Sequence, residues 1–269
     1  MFGKEFKLPP DKLSRLRTYL KIKPSNAPSP YSPSWLWQKW ARNISCTIED
    51  GIVHTSSGHA FGCSKDRRNE LLKCFYPLYP KTEITHAYLT HNPTSYLCYL
   101  ELASKLGDTC DEKVLEIGAG TGISLVTLRW TKAYIVELPN TLPITFVSLS
   151  ILYPALNVQL PNERLDNPDI CLFENSSLTV LPEQVDLALN YSSFQEMEVP
   201  TVNAYIRFVH TNLKDKGKLV MANQAVSSNL KYDTLSEYDL SSFSSVTTQE
   251  LPFASKIHRT KIVMVVATK

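Results

Sequence analysis

The chain has 269 residues, of which 43% are hydrophobic and 20% are charged, a composition typical of a soluble globular protein rather than of a disordered or membrane protein. A formal net charge of +2 offers no strong field to a phosphate backbone, so nucleic acid is excluded as the expected partner. Glycine is scarce, with nine in all, yet three stand close together at 118, 120 and 122.

The cysteines and the start of the chain indicate the cellular compartment in which the protein is expected. The six cysteines form no C-x-x-C pair and lie beside no histidine at zinc-ligand spacing, so the sequence predicts no metal site and no redox dithiol. The opening MFGKEFKLPPDK lacks the apolar segment of a signal peptide, and no stretch reaches the ~18 apolar residues of a membrane span. We therefore expect a cytoplasmic protein.

Residues 1–80 are rich in proline and are predicted to form an appendage to a main domain at 81–269. The pattern predicts a helix at Asp11–Leu20 with Asp11 as N-cap, a second helix at Ser34–Arg42, and a hairpin turning at Asp50-Gly51. Substrate capture or the contacts of a homodimer are the roles expected of this appendage. Packing is favoured over sugar stacking for three clustered tryptophans, Trp35, Trp37 and Trp40.

The main domain alternates strands and helices, which predicts an α/β fold with a mostly parallel sheet and a ligand at the carboxyl ends of the strands. Two strand-like runs without a helix of useful length between them close the chain, and an antiparallel final pair is the simplest interpretation. The predicted helices are Thr94–Leu106, Gly122–Arg129, Leu142–Leu152 and Val199–Leu213; the predicted strands are Lys113–Ile117, Ala133–Val136, Ile170–Phe173, Val185–Leu189, Gly217–Met221, Ser244–Leu251 and Arg259–Thr268.

The segment VLEIGAGTG runs from a buried strand into glycines at alternate positions, where the chain must turn sharply and a ligand must approach the main chain. A dinucleotide site would have the spacing G-x-G-x-x-G, whereas this pattern is E-x-G-x-G-x-G. Glu116 at the strand end would repel a pyrophosphate, but it could accept a hydrogen bond from an ammonium group or order the turn. The pattern therefore favours a zwitterionic or cationic ligand.

A second acid, Glu137, ends the next strand 17 residues beyond Gly120. This separation is close to the ~20 residues expected for a carboxylate that holds the hydroxyls of a ribose. An ordinary tight turn would explain the glycines alone, and a solvated strand-end acid would explain Glu137 alone. In register with the βα alternation, the two signals together favour a nucleoside-containing ligand.

VLEIGAGTG followed by the acid of YIVELPN resembles the S-adenosylmethionine (SAM) site of the class I methyltransferases. The resemblance covers about residues 93–269 and implies a Rossmann-like, seven-stranded sheet with helices on both faces and an antiparallel last strand. It implies SAM as the cofactor. Some sugar enzymes use Mg²⁺ held by acids near the fourth strand, but no clear acidic triad is present there, so no metal is predicted. The implied cofactor-binding residues are Glu116, Gly118, Ala119, Gly120, Thr121, Gly122, Glu137, Leu138, Asn175, Ser176 and Asn190, where Glu137 holds the ribose and the loop of Asn175 and Ser176 touches the adenine.

After the fourth strand of this domain, the string NYSSFQEM resembles a group of sugar O-methyltransferases of polysaccharide biosynthesis. That group also has an Asn-Pro before the glycine strand and a Pro after the ribose acid, matched here by Asn92-Pro93 and Pro139. The resemblance implies methylation of a sugar hydroxyl, on a nucleotide sugar or on a glycan.

A sugar hydroxyl is a poor nucleophile, so its attack on a methyl group needs a base. Glu196 and His91 are the predicted candidates, and Gln195 could orient the hydroxyl. The alternatives are a helix-start acid for Glu196 and an exposed loop residue for His91.

Three other functions stay open at this point: methylation of another small molecule, a non-catalytic protein that keeps the cofactor pocket, and a dehydrogenase. The glycine spacing disfavours the dehydrogenase. The intact set of glycines and acids argues against a pocket that has lost its ligand.

Overall fold

The computed structural model describes residues 3–22, 29–31, 44–56, 64–85, 88–89, 92–107, 112–226 and 236–269. The predicted helix Ser34–Arg42, its tryptophans and His91 lie outside these residues. The strands are β1 Gly3–Phe6, β2 Ser45–Glu49, β3 Ile52–Ser56, β4 Glu112–Ile117, β5 Trp130–Glu137, β6 Val158–Gln159, β7 Ile170–Glu174, β8 Val185–Tyr191, β9 Leu213–Gln224, β10 Ser245–Glu250 and β11 Ile262–Thr268. The α-helices are α1 Pro10–Leu20, α2 Lys65–Phe75, α3 Pro93–Leu106, α4 Leu142–Leu152, α5 Val199–Asn212 and α6 Pro252–His258.

A central sheet of eight strands has the order β10-β11-β9-β8-β4-β5-β7-β6. Neighbouring strands from β9 to β6 run parallel, and β11 is antiparallel to both β9 and β10, so the predicted α/β class and the reversed final pair are confirmed. The predicted count of seven strands is wrong. The eighth strand is β6, whose two residues beside β7 are too few to carry a pattern that sequence inspection can detect.

The central strands are apolar because both faces of the sheet are covered. Val114 and Ile135 lie in the hydrophobic cluster on one face, while Leu115, Tyr134 and Val136 lie in the cluster on the other. Because the central strands are buried on both faces, polar side chains can gather at the ends of the strands.

Helix predictions hold where packing agrees with the pattern: α3, α4 and α5 begin and end within one residue of the predicted bounds. Helix α1 is also confirmed, but its N-cap is Pro9 and not Asp11, which lies in the first turn. Two helices, α2 and α6, were not predicted.

The helix expected at Gly122–Arg129 is instead a 3₁₀ helix, Ile123–Thr127. Two side chains take carbonyls that an α-helix would use: Thr127 Oγ1 donates to Ser124 O at 2.7 Å, and Trp130 Nε1 donates to Leu125 O at 3.0 Å. Such local competition shortens the helix.

The N-terminal elements pack onto the main sheet. Strands β1, β3 and β2 form a small antiparallel sheet, and the predicted turn at Asp50-Gly51 is confirmed. Leu16 of α1 and Phe75 of α2 are fully buried in the same hydrophobic cluster as Phe146 of α4. Because this cluster spans both regions, the domain boundary at residue 80 stays a prediction. Within the described residues, no helix is both long and apolar enough to cross a membrane.

Candidate functional site

The glycine loop leaves the end of β4 with all three glycines at positive φ: 75° at Gly118, 59° at Gly120 and 68° at Gly122. A Cβ on Gly118 would collide with Ser193, and one on Gly122 would lie 2.8 Å from Leu149. A Cβ on Gly120 would meet nothing within 4 Å. Two glycines are therefore needed for packing, and Gly120 is the one whose missing side chain leaves open space.

Glu137 closes the loop from the end of β5. Its Oε1 accepts from Gly120 N at 2.6 Å and its Oε2 accepts from Leu138 N at 2.9 Å. Each carboxylate oxygen can accept a second hydrogen bond, so the group can hold the loop and still accept from a ligand hydroxyl. Burial raises the pKa of Glu137 to about 7, against the opposing effect of the two backbone N–H groups.

Glu116, near the end of β4, is bound by side chains of the interior. The side chain is fully buried, and its oxygens accept from Tyr99 Oη at 2.8 Å and from Ser124 Oγ. Burial raises its pKa to about 7, which the two hydroxyl groups oppose. These contacts favour the second of the two roles expected for Glu116, ordering of the glycine turn.

The end of β8 is tied to its neighbours through Asn190, which is 1% exposed. Its Nδ2 donates to Ile117 O at 2.9 Å and to Ser193 Oγ, and its Oδ1 accepts from Asn223 Nδ2 at 3.0 Å. Asn190 therefore ties together the ends of β4, β8 and β9. Asn223 continues the network because its Oδ1 accepts from Gln195 N at 3.2 Å.

The loop after β7 holds Asn175 and Ser176, both predicted to touch adenine. Asn175 is 3% exposed and its Nδ2 donates to Tyr31 O at 2.6 Å. Ser176 Oγ is buried and has no hydrogen-bond partner among the described residues. The N-terminal region thus reaches the loop at the expected ligand site.

A narrow cleft with a cavity volume of about 20 Å³ opens where these elements meet, at the carboxyl ends of the strands. Of the predicted cofactor residues, Gly118, Glu137 and Leu138 line it, whereas Ala119 and Thr121 are buried in the loop. Sequence reasoning missed six of the nine lining residues. Ser193 and Met197 lie within the string NYSSFQEM, and Ile117 and Val136 end predicted strands, so these four could have been included, but Tyr31 and Tyr205 gave no signal. The lining residues are Tyr31, Ile117, Gly118, Val136, Glu137, Leu138, Ser193, Met197 and Tyr205.

Glu196 lies in a short 3₁₀ helix next to the lining residue Met197. It is partly buried, and burial raises its pKa to about 7. Gln195 is 7% exposed and its Oε1 accepts from Gln224 N at 2.7 Å, a contact that ties this segment to β9. Of the three predicted catalytic residues, Gln195 and Glu196 therefore lie in the chain between the lining residues Ser193 and Met197, while His91 lies outside the described part of the chain.

Comparison with known proteins gave matches among solved structures. No protein-family model matches the sequence, and no curated protein matches it. A candidate O-methyltransferase from Nostoc punctiforme is 17% identical and aligns over 83% of this chain and 80% of its own, with a TM-score of 0.51. An O-methyltransferase from Bacillus cereus in complex with S-adenosylhomocysteine (SAH) is 13% identical over 77% of this chain and 92% of its own, with a TM-score of 0.45.

A third solved structure, the N-methyltransferase NodS from Bradyrhizobium japonicum, is 11% identical over 66% of this chain and 97% of its own, with a TM-score of 0.47. The alignment with the Nostoc protein includes most of both chains. The chain therefore has the α/β fold of this candidate O-methyltransferase.

Proposed function

We propose that the chain binds SAM in the cleft at the strand ends and transfers its methyl group to a sugar hydroxyl, on a nucleotide sugar or a glycan. The assignment of SAM as the cofactor rests on Glu137 and Gly120. A hydrogen bond joins the two residues, and open space lies where a side chain on Gly120 would be. A carboxylate at this place can accept from both ribose hydroxyls, and the bare backbone allows a ligand to approach.

SAM supplies an electrophilic methyl group on a positively charged sulfur. The chain would hold it with the lining residues Gly118, Glu137 and Leu138 and with Gly120, which is bonded to Glu137. The segment after β8 would be left for the acceptor. The buried carboxylates at Glu116 and Glu137 provide negative charge near the cleft when they are ionised, which suits a cationic ligand better than a pyrophosphate.

Glu196 is the proposed base. A carboxyl with a pKa of about 7 is half ionised at neutral pH and is basic enough to take a proton from a hydroxyl as the new bond forms. The choice of a sugar as acceptor depends on the string NYSSFQEM and on the near-neutral charge of the chain, which suits an uncharged acceptor. His91 and Gln195 remain secondary candidates for holding the hydroxyl.

Calorimetric titration with SAH tests the cofactor. Gly120→Arg should abolish binding because the new side chain fills the open space. Gly51→Arg is the matched control: Gly51 also has a positive φ, 80°, and a Cβ placed there would also meet nothing within 4 Å, but it lies in the β2–β3 turn. Absence of SAH binding to the unmodified protein, or equal loss in both variants, would contradict the proposal.

Transfer of a radiolabelled methyl group, screened over nucleotide sugars and short glycans, tests the acceptor. With an acceptor in hand, Glu196→Gln should lower kcat by ~10²-fold or more and leave SAH affinity nearly unchanged. The kcat of the unmodified protein should rise with pH through about 7, since the base must be ionised. Glu198→Gln, at an exposed carboxylate two residues away, is the control. A flat pH profile together with full activity of Glu196→Gln would remove Glu196 from the mechanism.

A further inference from the structure

The wall of the cleft beside the β7 loop is formed by Tyr31 from the N-terminal region. Asn175 was expected to touch the adenine, but it is 3% exposed and does not line the cleft. Tyr31 does line it, together with Glu137 and Leu138 from the end of β5. The side chain at the expected place of the base is therefore an aromatic ring that lies more than a hundred residues before the loop.

Tyr31 is held at this wall by contacts on both its backbone and its ring. Its carbonyl oxygen accepts from Asn175 Nδ2 at 2.6 Å, and its N–H donates to Ser29 Oγ at 3.2 Å in a turn. The ring centroid lies 4.7 Å from that of Tyr205 and 6.0 Å from that of Phe208, both on α5. These contacts fix the ring before any ligand arrives, which lowers the entropic cost of using it in binding.

The chemistry of the cleft fits a flat heteroaromatic group on this side. Apart from Glu137 and Ser193, the side chains that line it are apolar or aromatic, among them Ile117, Val136 and Met197. Tyr31 and Glu137 line the same narrow cleft, so a ribose bound to Glu137 would bring its base against Tyr31 as the cleft opens to admit it. Aromatic side chains stack on nucleobases with about 1–3 kcal/mol per base.

We propose that Tyr31 supplies the aromatic face on which the adenine of the cofactor stacks, and that Asn175 is a positioning residue that holds Tyr31 through its carbonyl group. This inference rests on the proposed function. It assigns a part of the cofactor site to the N-terminal region, so residues 1–80 are part of the binding machinery as well as of the packing.

SAH affinity measured by calorimetry tests the stacking. Tyr31→Ala should weaken SAH binding about tenfold, which corresponds to ~1.4 kcal/mol within the range for one stacked base. Tyr31→Phe should bind like the unmodified protein, because the ring and the carbonyl both remain. Tyr19→Phe is the control: it removes a 2.9 Å hydrogen bond to Glu174 on the same loop but leaves the ring of Tyr31 in place.

Unchanged or tighter binding by Tyr31→Ala would overturn the stacking, and tighter binding would make Tyr31 a plug that SAH displaces. Folding of each variant is checked by circular dichroism, and Tyr31→Leu, with a smaller loss expected, replaces Tyr31→Ala if that variant does not fold. Failure of the unmodified protein to bind SAH would instead refute the proposed function, and the inference with it.

Adenosine, titrated as a competitor of SAH, locates the contact. Tyr31→Ala should weaken adenosine and SAH by the same factor, since both carry the base. A loss seen with SAH alone would place Tyr31 at the amino-acid end and contradict the proposal.

A double-mutant cycle separates positioning by Asn175 from direct contact. If Asn175 acts through Tyr31, the variant Tyr31→Ala/Asn175→Ala should bind SAH no more weakly than Tyr31→Ala alone. Additive losses would show that Asn175 acts on the ligand by a route other than Tyr31, either directly or through Tyr205, to which it also hydrogen-bonds, and would overturn its role as the positioning residue of Tyr31.

Discussion

Glu116 and Glu137 end neighbouring parallel strands, and burial raises the pKa of both carboxyls to about 7, but different groups bind them. The backbone N–H groups of Gly120 and Leu138 hold Glu137, whereas hydroxyls of Tyr99 and Ser124 hold Glu116. Two carboxyls that look equivalent in the sequence are thus divided between the cleft and the interior. Substitution of the two glutamates should therefore have different effects.

The pH dependence of stability should reveal the buried carboxyl at 116. Its pKa in the folded protein is about 7 and its ordinary value is 4.5, so the folded state binds more protons between these values, and stability falls as pH rises through this window. Glu116→Gln should therefore gain stability relative to the unmodified protein between pH 4.5 and 7, by about 3 kcal/mol in total.

Urea unfolding at several pH values measures this gain. Glu49→Gln, at an exposed position of β2, should run parallel to the unmodified protein. A pH-independent difference for Glu116→Gln would show that the carboxyl ionises in the folded state at its ordinary pKa.

At the scale of the element, α6 depends on a residue of α3. Glu101 is fully buried, and its two oxygens accept from Phe253 N and Ala254 N, each at 2.8 Å, while Tyr79 Oη donates to it at 2.7 Å. A distant carboxylate therefore does the work that an N-cap side chain does in most helices. Since α6 has only seven residues, this contact accounts for its position between β10 and β11.

Glu101→Ala should destabilise the protein by about 3 kcal/mol, because two buried backbone donors lose their acceptor. Glu101→Gln keeps one acceptor oxygen and should lose about half as much. Urea unfolding gives the two losses, and hydrogen exchange at the amides of 253 and 254 should show the earliest change. A loss below about 1 kcal/mol for Glu101→Ala would mean that water replaces the carboxylate.

How far the sequence predicts these elements depends on how local their causes are. Helix α4 and strand β8 carry long apolar patterns, so their positions could be predicted closely. Strand β6 exists only by pairing with β7, and the helix after the glycine loop is shortened by side-chain bonds from Thr127 and Trp130. The same limit applies to the site: the motif at 116–122 is contiguous, but Tyr31 reaches it by tertiary contact alone.

For the whole molecule, the N-terminal elements and the main sheet should unfold together. Arg15 of α1 binds Glu163 through two hydrogen bonds of 2.7 and 2.6 Å, and Lys12 Nζ donates to Pro154 O at 2.9 Å. The shared hydrophobic cluster adds to these contacts. A shared hydrophobic core and hydrogen bonds from charged side chains between the two regions favour a single cooperative unfolding transition.

Two probes can test this cooperativity. Three of the four tryptophans lie at 35, 37 and 40, so fluorescence reports mainly on the N-terminal region, while far-ultraviolet circular dichroism reports on the whole chain. The urea transitions followed by the two probes should coincide. Arg15→Ala should lower the free energy of unfolding measured by each probe by about 2 kcal/mol. Arg67→Ala removes an exposed ion pair with Glu70 and should change neither free energy by more than about 0.5 kcal/mol. An earlier fluorescence transition would make residues 1–80 an independent domain.

The position of β11 between β9 and β10 has a consequence for synthesis on the ribosome. Strand β11 is made after both of its neighbours, so β9 presents an unpaired edge, and β10 has no partner, until residues 262–268 emerge. An open strand edge invites pairing with other chains. The nascent protein is therefore exposed to aggregation in the interval after β9 and β10 have been made and before β11 has joined them.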